Sequence, residues 1–84
     1  MAMIVYETTA PAINAYAVTA SDTLYLKESS RALFIGNNGD IKVDMVGEGA
    51  AIVFENVADG TILPIQVRRV YDTDTTASGI VALV

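Results

Sequence analysis

Arg31-Ala32-Leu33-Phe34-Ile35-Gly36-Asn37-Asn38-Gly39-Asp40-Ile41-Lys42-Val43-Asp44-Met45 decides the fold class. Its second half alternates: Ile41, Val43 and Met45 share one face of an extended chain, and Lys42 and Asp44 share the other, which is expected to meet water. Its first half is apolar on both faces, with Leu33 and Ile35 on one and Ala32 and Phe34 on the other, as in a strand covered on both sides. Between them, Gly36 to Asp40 is the strongest turn signal in the chain, because Asn and Gly tolerate the positive φ of tight hairpins.

Working outward, the same grammar repeats. Thr23 to Leu26 reads as a short strand after a turn at Ser21-Asp22. Gly47-Glu48-Gly49 turns into a strand from Ala50 to Phe54. Ala58-Asp59-Gly60 turns again into a longer strand, Ile62 to Val70, whose Pro64 belongs at a sheet edge or bend because it donates no ladder hydrogen bond. Asp72 to Gly79 is a polar loop, and Ile80 to Val84 closes the chain as an apolar strand. Turns about every 8–12 residues are the spacing of a sandwich or barrel. Val, Ile and Thr supply 26 of 84 residues against five Leu, and branching at Cβ favours a pleated sheet over a helix. The expectation is an all-β domain, a small sandwich or barrel of six to eight short antiparallel strands. Its core would be Leu33, Ile35, Ile41, Val43, Ile52, Phe54, Ile65, Val67, Val81 and Leu83.

Residues 1–20 read as an N-terminal arm or edge strand, and residues 21–84 as the sandwich domain. The arm holds Met3, Ile4, Val5, Tyr6, Ile13, Tyr16 and Val18 but one charge, Glu7, and Pro11 interrupts any ladder. A terminus so apolar and so poorly charged is expected to contact another subunit or a larger surface. Met1 to Ala10 lacks the basic and apolar regions of a signal peptide, so synthesis in a host cytoplasm is expected. The longest apolar runs are too short to span a bilayer, so no membrane is expected.

Composition excludes much chemistry. The chain has no His, Cys or Trp and a net charge of −5. That removes disulfides, thiolate nucleophiles, zinc sites and the usual general base. The acidic balance argues against a nucleic-acid partner. Asp72-Thr73-Asp74-Thr75 begins like a calcium loop, but Ala77 stands where the turn Gly belongs and Leu83 where the final Glu belongs. Lys27 with Ser29 and Ser30 could form a nucleophilic pair only in a depth that a loop of so small a domain does not offer. Gly36 to Gly39 lacks the Gly-Lys ending and the helix of a phosphate loop. Asp40 and Asp44 merely share a strand face. No catalytic residue, cofactor or metal is expected, and the protein is read as not an enzyme.

Two features point to assembly. Hydrophobic residues make up 52% of the chain and charged residues 18%, with mean hydropathy +0.43. A domain this small buries only about 60% of its unfolded surface, so apolar groups are left over for an interface. Arg68-Arg69 is the one adjacent basic pair. In a regular strand the two point to opposite faces, so one of them either follows a bulge or meets a carboxylate of another subunit.

Several segments carry a resemblance. Ser21-Asp22-Thr23, Arg31 to Gly36, Gly39-Asp40-Ile41, Phe54 to Gly60, Ile62 to Val70 and Thr75 to Leu83 stand in order and at matching spacing. Over this three quarters of its length the chain resembles the small head spike base and head decoration proteins of tailed phages and gene transfer agents. The stretch from Met1 to about Ala20 is outside the likeness. The resemblance implies a structural virion protein on the capsid exterior. It would be a homo-pentamer or homo-trimer that cements the major capsid protein or seats a fibre or receptor-binding protein. Inter-subunit contacts are expected from Met3, Val5, Tyr6, Arg68 and Arg69. The competing reading is a small ligand- or carbohydrate-binding β module, which four Tyr and two Phe permit and the lack of Trp disfavours.

Overall fold

In a computed structural model, which describes residues 12–84, the chain is all-β. Seven strands run in order: β1 (Ala15–Ala17), β2 (Ala32–Asn37), β3 (Gly39–Met45), β4 (Ile52–Val57), β5 (Thr61–Leu63), β6 (Val67–Val70) and β7 (Ser78–Leu83). They form two antiparallel sheets, one ordered β1-β7-β2-β5 and the other β4-β3-β6. The described residues contain no helix. The fold class is the all-β one expected from the β-branched composition, and the seven strands of the described residues fall within the six to eight expected from composition and turn spacing.

The strongest turn signal does not make a hairpin. β2 and β3 lie in different sheets, separated by Asn38 alone, so Gly36 to Asp40 is the corner at which the chain crosses the sandwich. Gly39 sits there at φ 153°, and a Cβ on it would lie 2.6 Å from the Ala77 amide nitrogen. Only glycine lets the corner lie against the segment before β7. The hairpin inside one sheet is β3–β4, closed by the Met45 amide donating to the Gly49 carbonyl at 2.7 Å.

The expected strand from Ile62 to Val70 is also two. Pro64 ends β5 in one sheet, and β6 begins at Val67 in the other. Ser30 bridges the gap. Its hydroxyl donates to the Ile65 carbonyl at 3.2 Å and accepts from the Val67 amide at 3.1 Å. The sequence places this serine in a surface loop, whereas the fold buries it. Thr23 to Leu26 is likewise not a strand. Its segment lies irregularly along the outer side of β6, with Ser21, Leu26 and Ser30 amides donating to the carbonyls of Val70, Arg68 and Val67. The β6 edge is thereby covered, whereas β4 and β5 end their sheets.

The core joins Leu33, Ile35, Ile41, Val43, Val57, Val67, Val70, Ala77, Ile80 and Ala82. Five of the ten expected core residues are among them. Phe54 and Ile65 pack against this core without being buried, and Ile52 stays 41% exposed because β4 is a sheet margin. In β7 the alternation is the reverse of the expected one. Ala82 lies opposite Leu33 and Ile80 opposite Ile35, so Val81 and Leu83 face outward.

Candidate interfaces

That reversal gives the four-stranded sheet an apolar outer face. Directly paired residues of antiparallel strands share a face. Ala15, Leu83 and Ala32 therefore form one outward row, and Ala17, Val81, Phe34 and Ile62 the next. Ala15 and Ala17 are exposed, Ile62 is 57% exposed, and the others are half-buried. An outer sandwich face in water is ordinarily polar, with the apolar residues turned inward. Here neither row holds a charged or polar side chain.

The outer face of the other sheet is the opposite in character. Asp44 pairs with Arg69 across β3 and β6, and the register shifts beside them, where Met45 pairs with Val67. Arg68 is thus the extra residue of a β-bulge. A bulge places two consecutive residues opposite one and re-aims their side chains. Val67 and Val70 both turn into the core, and both arginines turn outward toward Tyr25. The guanidinium of Arg69 lies 4.4 Å and that of Arg68 5.5 Å from the Tyr25 ring centroid, a cation–π geometry. A strict strand period would have sent the two arginines to opposite faces. Arg69 meets a carboxylate of its own chain, Asp44, at 3.4 Å.

The alternation of β3 puts Asp44 in water, and it does point to the outer face, but it is buried at 4% exposure. It accepts from the Ala51 amide at 2.8 Å and from the Tyr71 hydroxyl at 3.0 and 3.1 Å. Burial pushes its carboxyl up. The Ala51 amide, the Tyr71 hydroxyl and the Arg69 and Arg68 charges outweigh that and hold it below its ordinary 3.8. Lys42 completes the patch, 4.9 Å from the Tyr71 ring centroid and 3.4 Å from Asp74.

Tyr25, 59% exposed, and Leu24, 70% exposed, stand on the covered β6 margin. With Tyr16 and Lys27 they border a groove of about 280 Å3. Lys27 lies over the Tyr16 ring at 4.8 Å, and the Tyr16 hydroxyl donates to the Glu28 carbonyl. The Asp72–Thr75 loop, which begins like a calcium site, is clasped instead by Asp22. That carboxylate accepts from the Asp72 and Thr73 amides, both at 2.9 Å, and from the Thr73 hydroxyl. These hydrogen bonds, led by the Thr73 hydroxyl, hold Asp22 below the usual carboxylate range. Among the described residues no group of three Asp, Glu, His or Cys side chains is placed to hold a metal ion, and no helix is long and apolar enough to cross a membrane.

Of the residues expected at subunit contacts, Arg68 and Arg69 lie together in the bulge, while Met3, Val5 and Tyr6 lie outside the described residues. Leu24, Tyr25 and the outward rows are candidates that the sequence alone does not single out. Leu24 and Tyr25 carry the signature of a strand, and an apolar run hides which of its faces is inner.

No family model matches the chain, and no curated protein does. Among solved structures it is similar to a chain described as the capsid of a native gene transfer agent (GTA) particle computed with C5 symmetry. The two share 31% identity and superpose with a TM-score of 0.83, over 93% of this chain and 89% of that one.

Proposed function

We propose that this chain, which belongs with the capsid-particle proteins of the GTA and phage type, is a decoration or spike-base protein on the outer surface of such a capsid. The observation that carries the reading is the outward apolar face of Phe34, Val81, Leu83 and Ile62 on a relative of a capsid-particle chain. That face attaches the protein to the particle. Its occupant is the major capsid protein, because a particle component must bury its surplus apolar surface against the shell it joins. Copies form a ring, a homo-pentamer or homo-trimer. Met3, Val5 and Tyr6 at the N-terminal end add contacts to a neighbouring subunit, as do Arg68 and Arg69. The ring either cements the shell or seats a fibre or receptor-binding protein. The role is structural and needs no catalysis.

A small ligand- or carbohydrate-binding module is the weaker reading. The Tyr16–Tyr25 groove, at about 280 Å3, is at the lower limit of the roughly 300–1,000 Å3 of small-molecule sites.

The test is Ile62→Arg in the particle-producing strain. Ile62 is already 57% exposed, so the variant should keep its stability within about 0.5 kcal/mol and be missing from purified particles. Incorporation at the wild-type level would refute attachment through this face.

A further inference from the structure

β1 ends the four-stranded sheet, and no described residue pairs with its outer side. Asn14 exchanges both backbone hydrogen bonds with Val84, at 3.1 and 2.8 Å, and the Val18 amide donates to the Ile80 carbonyl at 2.9 Å. Backbone groups of an antiparallel strand alternate between its two sides. Asn14, Tyr16 and Val18 therefore bond toward β7, while the carbonyls of Ala15 and Ala17 and the Ala17 amide point away from the sheet. The Ala15 amide is taken by the Asn14 side chain at 2.9 Å. Beside this edge runs the groove of about 280 Å3, lined by Tyr16, Ala17, Leu24, Tyr25 and Leu26 among others. An open row of donors and acceptors along an apolar groove fits an extended apolar strand, whose backbone takes the edge and whose side chains take the groove.

The chain carries such a stretch before its described residues. Met3-Ile4-Val5-Tyr6 is apolar on both alternating faces, with Met3 and Val5 on one and Ile4 and Tyr6 on the other. A strand added to β1 needs both faces apolar. One lies over the groove, and the other continues the outward rows of Ala15 with Leu83 and Ala17 with Val81. We propose that Met3–Tyr6 of one copy adds as a further strand to the β1 edge of the next copy, with alternate side chains seated in the Leu24–Tyr25 groove. Pro11 makes the segment a neighbour's rather than the chain's own. It biases Ala10 toward extended chain and donates no ladder hydrogen bond, which disfavours the reversal needed to fold back on β1. Residues 3–11 reach about 30 Å when extended. That exceeds the 25 and 18 Å of the molecule's two shorter axes, so the segment spans to an adjacent copy. The contact joins a donor segment to an acceptor edge, and repeated with a constant rotation it closes a ring. It also covers a sheet edge that would otherwise invite uncontrolled strand pairing. This inference rests on the reading of the chain as a ring-forming particle protein and names the surface that Met3, Val5 and Tyr6 occupy.

The experiment is thiol cross-linking of the full chain, which has no cysteine of its own to give a background. Val5→Cys and Leu24→Cys are combined, Leu24 being 70% exposed, and circular dichroism checks the fold. A short bismaleimide then links the thiols in concentrated protein and on purified particles. The double variant should give covalent ladders that extend past the dimer, and each single variant at most a dimer. Ala17→Pro, added to the pair, should cut the ladder about tenfold, the equivalent of one hydrogen bond. It removes the outward amide, and an edge strand tolerates proline there. A link closed within one monomer would overturn the inference in favour of the chain's own segment. Absence of any link, or a ladder that ignores Ala17→Pro, would overturn it as well. A wild type that decorates particles while the pair gives no ladder would leave the functional reading standing and discard the exchange. A wild type absent from particles would overturn the functional reading, and a ladder in solution would still uphold the exchange.

Discussion

The Arg69 guanidinium lies 3.4 Å from the Asp44 carboxylate, side by side across β3 and β6, with Arg69 shielded and Asp44 almost wholly buried. The bulge at Arg68 makes this pair, and the pair in turn holds the bulge. Asp44 also caps the Ala51 amide at 2.8 Å, so one carboxylate ties the β3–β4 hairpin to β6.

Asp44→Asn should therefore destabilise the fold by roughly 1–3 kcal/mol, the scale of a lost hydrogen bond to a charged group. The pH dependence has a definite sign. The folded carboxyl is held below its ordinary 3.8, so its contribution is complete above that value and is lost as pH falls through the lower folded value. Denaturant melts from about pH 6 to about pH 2 should show the wild type losing its advantage over the variant only below about pH 4. Parallel curves would contradict the role given to Asp44.

Gly39→Ala should cost about 2–4 kcal/mol, combining backbone strain with overpacking, because the new Cβ would lie 2.6 Å from the Ala77 nitrogen. Gly47 supplies the control. A Cβ there would have nothing within 4 Å, and Gly47→Ala should stay within about 0.5 kcal/mol. Equal effects at the two sites would show that the corner is not as tight as described.

Ala51→Gly should stabilise the protein by about 0.5–1 kcal/mol, the relief of left-handed strain less the entropy gained by the unfolded chain. Ala51 stands at φ 54°, held by its bond to Asp44. A fall in melting temperature would mean that the Ala51 methyl makes a contact worth more than the strain.

Ser30→Ala should cost roughly 1–3 kcal/mol, since it strands the buried Val67 amide and loses the bond to Ile65. A loss below the error of the melt would show that water replaces the hydroxyl.

The strands are legible in the sequence where one face is apolar and the other polar. Ile41 to Met45 is such a strand, and Ile41 and Val43 are buried as its alternation predicts. Ile80 to Val84 is apolar throughout, so only its pairing with β2 decides that Ile80 and Ala82 turn inward. Pairing is a long-range property, and local pattern does not carry it. The same limit explains Gly36 to Asp40 and Pro64: residues that permit a hairpin or an edge equally permit a crossing between sheets. Arg68-Arg69 announces an irregularity, and the sequence leaves a bulge and a carboxylate partner open as its cause. Only the register shows the bulge turning both arginines toward one Tyr. The outward apolar rows are half legible, because Ala32 and Phe34 already ask for a cover on the second face of their strand.

Under the proposed function, the apolar face of the four-stranded sheet holds the chain to the outer surface of the particle. The most direct measurement is a density map of the intact particle at side-chain resolution. It should show rings of this chain on the capsid exterior with Phe34, Val81, Leu83 and Ile62 buried against the shell. A map without the chain, or with that face open to solvent, would contradict the claim.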